Sequence, residues 1–322
     1  MAIYIKISKK DVISIEKKFN LEKIISFKGI KKGIENTNYL LKTKNKKYIL
    51  TIFGKRVQKK DIPFFMNLMD KLANYKIICP KPLKNKKGNY LFNLKNKSAV
   101  IVSFLEGKDK NKLNTKDCYE IGKNVAKFHK VSKKIKLYRK NSMSLNSWTN
   151  LLKKIGNNCN NINVGLKEMM TKSLADIKKR WPRKLSNGII HGDLFIDNIF
   201  FRNNKFYGYI DFYFSSSDFF MYEIAICINA LCFDKKNRKF IFNKKKSKNL
   251  LKGYSSLKKL TKNEKNSLNI LCRGAALRYL LTRTYDYLNT PKSAIIKIKD
   301  PHEYMQKLQI HNKFNSFKNY YN

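Results

Sequence analysis

Acidic residues are scarce in this 322-residue chain: 22 Asp and Glu stand against 70 Lys and Arg, a formal charge of +48. Such an excess ordinarily points to a nucleic-acid or membrane-surface partner. Arginine is scarce too, beside lysine, and the lysines run through every segment instead of gathering in one. With abundant Asn and Ile they form the residue set expected from AT-biased coding. Runs such as Lys44 to Lys47 and Lys244 to Lys246 sit beside asparagines and read as turns carrying solvated charge. No dedicated nucleic-acid site is expected.

Cysteine chemistry is equally thin. The six cysteines, at 79, 118, 159, 227, 232 and 272, include no C-x-x-C pair and no histidine at metal spacing. That argues against a disulfide framework and fits a reducing compartment. Cys227 and Cys232 lie in an apolar run and read as small hydrophobes. The first residues, MAIYIKISKKD, lack the apolar core of a secretion signal. The longest apolar stretch, Phe219 to Phe233, carries Glu223 and Asn229 and is too short for a bilayer. A soluble cytoplasmic protein without a membrane partner is expected, and no internal repeat is seen.

What is present divides near Glu106-Gly107. Before it, Ile24 to Gly29, Tyr39 to Thr43, Tyr48 to Phe53 and Ala99 to Phe104 read as strands. One helix starts at Asp61-Ile-Pro63, with Asp as N-cap and Pro in the first turn. Phe64, Phe65, Leu68, Met69 and Leu72 follow at helical spacing. After Gly107 the pattern is mostly helical, over Thr115 to Val131, Trp148 to Ile155, Leu166 to Trp181, Met221 to Phe233 and Arg273 to Leu288. The expectation is an α+β chain of two lobes, 1–105 and 106–322.

The exception in the second half is HGDLFIDN, His191 to Asn198, followed by YIDF around Asp211. Asn198 to Phe201 reads as a buried strand, Asn203-Asn204 as a turn, and Phe206 to Ile210 as the antiparallel return. That hairpin is expected to bring Asp211 back beside Asp193 and Asn198. One carboxylate could then take a proton from an alcohol, while an amide and a second carboxylate offer hard oxygens to Mg²⁺. His191 is expected to orient the loop.

These residues resemble the aminoglycoside phosphotransferase and choline kinase superfamily, whose loop reads H-G-D-x-x-x-x-N followed by I-D-F/W. The resemblance implies a bilobal, protein-kinase-like fold with a small β-rich first lobe. It implies ATP and Mg²⁺, with Asp193 as base and Asn198 and Asp211 as metal ligands. Asp218 and Tyr222-Glu223-Ile224-Ala225 look like the family's D-P-x-x-D-L-A segment, Glu replacing Asp, so Glu223 is expected to brace the loop. Phrases from SFKGIKKGIENTNYLL to ALRYLLTRTYDYLNTPK look like the bacterial homoserine kinase branch over nearly the whole chain. The activity implied is phosphorylation of the L-homoserine hydroxyl in threonine biosynthesis, the alternative being a choline, methylthioribose or aminoglycoside kinase of the same fold.

The nucleotide is expected between the lobes, with adenine against Ser103, Phe104 and Leu105 and phosphates against the Gly29 to Asn36 loop. There Gly29 and Gly33 permit close approach and Asn36 adds a donor. A strand lysine, usual in kinase-like folds, is missing: Thr51 stands in its place, and the next helix offers Asp61 and Asp70 but no glutamate. Lys31, Lys32, Lys55 or Arg56 are the substitutes considered. For the acceptor's carboxylate, Arg278 or Arg283 on the Arg273 to Leu288 segment is expected. Tyr213, Asp218 or Asp286 is expected near its ammonium. His129 reads as structural, and His302 and His311 as surface.

Overall fold

The computed structural model describes residues 5–30, 36–54, 56–291 and 298–321. The chain forms two compact units. The first runs to Gly107 and takes in Tyr207–Tyr213; the second comprises Lys108–Phe206 and the described residues from Phe214 onward. The first cut lies two residues beyond the 105/106 division drawn from sequence, and Tyr207–Tyr213 folds with the earlier residues.

The first unit begins with α1 (Lys9–Phe19), which the sequence reading passed over. Its signal is Ser8-x-x-Asp11: the Ser8 hydroxyl accepts from the Asp11 amide and the Asp11 carboxylate accepts from the Ser8 amide. An antiparallel sheet follows, built from β1 (Ser26–Ile30), β2 (Thr37–Lys42), β3 (Lys47–Ile52), β4 (Phe92–Leu94) and β5 (Lys97–Ser103). Its strand order is β1-β2-β3-β5-β4. Leu41, Leu50, Ile52, Ala99 and Ile101 pack one face against Val12, Ile15 and Phe19 of α1. Between β3 and β4 lies α2 (Ile62–Asn74), burying Phe65, Met66, Leu68, Met69 and Leu72. Asp61 holds its N-cap position but makes no side-chain cap. A 3₁₀ turn over Lys59–Asp61 keeps Asp61 helical (φ −87°, ψ −21°), whereas capping needs extended backbone.

The second unit contains α3 (Thr115–Ser132), α4 (Leu145–Ile155) and α5 (Leu166–Arg180). The short strands β6 (Asn187–Ile190), β7 (Ile199–Arg202) and β9 (Ser216–Phe219) follow, with β8 (Lys205–Tyr209) straddling the division between the units. Then come α6 (Phe220–Leu231), the hairpin β10 (Phe233–Lys236) and β11 (Lys239–Phe242), α7 (Lys244–Leu257), α8 (Lys262–Asn289), α9 (His302–Asn312) and α10 (Lys318–Tyr321). The turn joining β7 to β8 has both Asn203 (φ 49°) and Asn204 (φ 59°) in the left-handed region, where asparagine is among the best-tolerated residues.

Two expectations about charge and polarity need correcting. Lys244 to Lys246 do not form a turn; they open α7, capped by Asn243, whose side chain accepts from the Lys246 amide. Lys246 is buried and its ammonium lies 2.6 Å from Asp234. His311 is not at the surface: its ring is fully buried, 3.0 Å from the Tyr320 hydroxyl and 3.2 Å from Asn229 Oδ1. Burial drives its pKa down to about 3, so it is a neutral core residue. His129 is buried as expected, stacked on Phe220 at 4.3 Å and bonded to Tyr254. His302 is partly exposed beside Asp300. All six cysteines are free and buried, and no described helix is long and apolar enough to cross a membrane.

α3 and α7 meet backbone on backbone. A Cβ at Gly122 would lie 2.0 Å from the Leu250 carbonyl oxygen, and one at Gly253 would lie 1.9 Å from that of Tyr119. Neither obstacle is a side chain that could swing away, so Gly122→Ala must push the helices apart. The expected cost is about 3 kcal/mol, at the upper end for overpacking, read as a shift in urea-unfolding midpoint. A variant within 0.5 kcal/mol of wild type, on the order of an ordinary surface change, would show that the crossing is looser than this.

Candidate active site

The site is built on β6. Its buried Ile189 and Ile190 pair with Ser217 and Ser216 of β9 and deliver the chain into the His191–Asn198 loop. Gly192 sits at φ 80°, and a Cβ there would lie 2.6 Å from the Phe214 carbonyl oxygen, so the turn demands glycine. The loop is held from three directions. From α6, the buried Glu223 carboxylate accepts from the amides of His191 and Gly192, the latter at 3.2 Å. From α8, Arg278 Nη1 donates to the Gly192 carbonyl at 2.8 Å. Ser215 Oγ donates to the His191 carbonyl at 3.2 Å. Glu223 thus braces the loop as expected, and burial raises its pKa to about 8, against the two amides and Arg278, which favour the charge.

Asp193 is half-buried, and both of its oxygens are oriented. The Tyr279 hydroxyl donates to Oδ1 at 3.1 Å; Asn198 Nδ2 lies 3.3 Å from Oδ2 and 2.8 Å from the Asp193 carbonyl. Burial raises the Asp193 pKa, while Arg278, Lys299 and the Tyr279 hydroxyl pull it down. A carboxylate made more basic by desolvation, yet stabilised by nearby cations, suits accepting a proton from an alcohol. Because its amide nitrogen faces Asp193, Asn198 has its Oδ1 as the remaining hard-oxygen donor, which fits a Mg²⁺ ligand. Asp211 is on the Tyr207–Tyr213 segment of the first unit, in left-handed backbone (φ 63°).

The arginines of α8, expected at the acceptor's carboxylate, are buried and hold protein partners. Arg278 is only 3% exposed, with its guanidinium 4.7 Å over the Tyr279 ring. Arg283, 8% exposed, donates to Glu303 at 2.7 Å and to the Asp300 carbonyl at 3.1 Å. Arg273 pairs with Asp176 of α5 at 2.7 Å. Asp218 accepts from Asn141 Nδ2 at 2.6 Å and from the Phe219 amide at 2.7 Å. It thereby fastens the 139–143 segment to β9. Burial raises its pKa.

In the first unit, Tyr213 packs edge-on against Phe53 (5.0 Å) and Phe65 (5.8 Å), with Thr51 beside its hydroxyl. Thr51 in turn donates to Asn38 Oδ1 at 2.8 Å. Thr51, expected where kinase-like folds carry a strand lysine, is thus buried in a neutral cluster with the half-buried Asn38 and Tyr213. Gly29 is in β1 opposite Tyr39, and Asn36 Oδ1 accepts from the Gly54 amide at 3.1 Å. Gly33, with Lys31, Lys32 and Lys55, lies outside the described residues. The Ser103 and Phe104 amides donate to the carbonyls of Lys81 and Lys47, whereas no described residue accepts from the Leu105 amide.

Tyr279 and Lys299 are the site residues that sequence reasoning missed. Tyr279 had one usable cue, its place next to Arg278 on a helix already singled out. Lys299 had none, one lysine among so many.

A braced loop carrying an oriented carboxylate, in a chain made of a mostly helical unit and a small antiparallel sheet unit, is the arrangement of a phosphotransferase. Residues 26–239 match the family described as the phosphotransferase enzyme family. The homoserine kinase of Sinorhizobium medicae is 40% identical over 97% of this chain and 94% of its own length. That of Nitrobacter winogradskyi is 38% identical over 99% of this chain and 97% of its own. Among solved structures, amicoumacin kinase hAmiN, in complex with AMP-PNP, Ca²⁺ and Ami, superposes with a TM-score of 0.69 at 13% identity, covering 96% of this chain and 95% of that one. Choline kinase LicA from Streptococcus pneumoniae gives 0.64 at 18% identity, over 95% and 98%. The chain belongs to the phosphotransferase enzyme family and, within it, to the homoserine kinases.

Proposed function

We propose that this protein transfers the γ-phosphoryl group of ATP to the side-chain hydroxyl of L-homoserine, giving O-phospho-L-homoserine and ADP, a step of threonine biosynthesis. The observation that carries the reaction type is the Asp193 carboxylate, fixed through Tyr279 and Asn198 on a loop braced by Glu223 and Arg278. Kinship at about 40% identity over nearly the whole chain supports homoserine as the acceptor.

Asp193 orients the acceptor hydroxyl and takes its proton as the oxygen–phosphorus bond forms and the bond to the β-phosphate oxygen breaks. Asn198 Oδ1 and the Asp211 carboxylate are the hard oxygens assigned to Mg²⁺, which when bound neutralises phosphate charge. In the first unit, the Leu105 amide, following Ser103 and Phe104, is the donor assigned to adenine, and the backbone from Gly29 through Gly33 to Asn36 is assigned to the phosphates. With a neutral cluster at Thr51, phosphate recognition there rests on backbone donors and on lysines outside β3.

The test is ADP release with Mg-ATP and, in turn, L-homoserine, choline, methylthioribose and an aminoglycoside. Homoserine is expected to be preferred over each of the others by at least about 100-fold in kcat/KM, with up to roughly 10⁴-fold where an acceptor leaves polar groups of the site unpaired. Activity confined to choline, or to any other of the three, would refute the acceptor while leaving the reaction type standing.

A further inference from the structure

Phosphorylating homoserine at this site poses an electrostatic problem. The substrate carries a carboxylate, and the loop already presents two carboxyl groups, Asp193 and Asp197, both half-buried. A cation must offset this. Arg278 is buried and directed at the Gly192 carbonyl, and Arg283 is buried and paired with Glu303. Neither has a donor face turned to solvent.

Lys299 meets the requirement. It is exposed, and its ammonium lies 5.0 Å over the ring of Phe195, two residues after Asp193. That ring in turn packs edge-on at 4.9 Å against Tyr279, whose hydroxyl is 3.1 Å from Asp193 Oδ1. The contacts therefore run unbroken from the base to the ammonium. Among the described residues, no carboxylate lies within ion-pair distance of Lys299. Its backbone is anchored at the next residue, where the Asp300 carbonyl accepts from Arg283 and the Asp300 carboxylate caps the His302 amide at 2.9 Å. A flexible four-carbon stem on a fixed backbone, its head in water, can reach a small ligand without a large desolvation cost.

We propose that Lys299 binds the α-carboxylate of the amino-acid acceptor and so sets the preference for an amino acid over a plain amino alcohol, with Arg283 holding the Lys299 backbone in place. The inference rests on the homoserine reading above. The carboxylate is a fixed feature of the acceptor, present before and after transfer, so its partner contributes to binding the acceptor and little to the chemical step.

The test compares wild type with Lys299→Met, which keeps the apolar stem over Phe195, and Lys299→Arg, which keeps the charge. Each is assayed with Mg-ATP on L-homoserine and on 3-aminopropan-1-ol, which is homoserine without its carboxylate. Lys299→Met is expected to raise KM for homoserine about tenfold or more, the loss of one charge-assisted contact. KM for ATP is expected to stay within about twofold, and kcat/KM for 3-aminopropan-1-ol to fall about tenfold less than kcat/KM for homoserine, since any influence of Lys299 on Asp193 is common to both acceptors and the carboxylate contact is not. Lys299→Arg restores most of the homoserine preference. Equal losses on both acceptors, with KM for homoserine unchanged, would overturn the proposal in favour of a role at the transferred phosphoryl group. Unchanged kinetics on both acceptors would overturn it in favour of a surface lysine. A wild type inactive on homoserine but active on another alcohol defeats the underlying acceptor reading, and that result is distinguishable because it precedes any variant.

Discussion

Asp193→Asn is expected to reduce turnover on homoserine by about 10³-fold, within the range that a positioned general base contributes. The substitution is close to isosteric, so the hydrogen bonds that hold residue 193 largely survive. Tyr279 can still donate to the amide oxygen, and Asn198 Nδ2 still reaches the residue 193 carbonyl at 2.8 Å. What disappears is the lone pair that receives the hydroxyl proton, together with the negative charge that orients it. KM for ATP should change by less than about threefold, because an interaction used only in the transition state lowers kcat without touching ground-state binding. Steady-state kinetics with a nucleotide-binding titration separate the two quantities. Near-normal turnover in this variant would remove Asp193 from the mechanism.

The second large effect is expected at Glu223. Its carboxylate accepts from two consecutive loop amides, in a place from which solvent is excluded. Glu223→Ala strands both donors and is expected to cost about 3 kcal/mol of stability and most of the activity, since each buried unsatisfied donor costs on the order of 1–3 kcal/mol. Glu223→Gln tells more. Burial lifts the folded pKa from an ordinary 4.5 to about 8, so between those values the folded protein holds a proton that the unfolded chain has released. Stability therefore falls as pH rises through that window, by about 1.4 kcal/mol per pH unit. Glutamine has no such slope. Unfolding free energies of the two proteins between pH 5 and pH 8 should thus shift in favour of the Gln variant as pH rises. Parallel curves would mean that Glu223 is ionised throughout.

The reach of sequence reading differs from element to element for physical reasons. HGDLFIDN was legible because its chemistry needs fixed residue types at fixed spacing, and the strands were legible because burial on one face imposes a period. The β-rich first unit and helical second unit followed. α7 was not legible, since its lysines looked like solvated turn charge, and only the Asn243 cap and the partner Asp234 explain why Lys246 is buried in a helix. The first turns of α8 were hidden by the polar run Lys262-Asn-Glu-Lys-Asn-Ser, although Thr261 and Glu264 form a reciprocal cap. For Arg278 and Arg283 the residue type was informative and the partners were not. A guanidinium suits a carboxylate ligand, a backbone carbonyl and an aromatic face alike, and only the fold decides among them. His311 was misplaced because one histidine gives no pattern from which burial can be read.

The neutral cluster of Asn38, Thr51 and Tyr213 has a consequence for chemical labelling. Nucleotide analogues bearing an electrophile on the phosphate chain report on kinase-like proteins by acylating the strand amine that grips the phosphates. Here β3 offers a hydroxyl that already donates to Asn38 at 2.8 Å, a far poorer nucleophile than an amine. Such reagents would pass over β3 in this enzyme, and profiling that scores occupancy by modification of that strand would count the protein as silent even while it turns over.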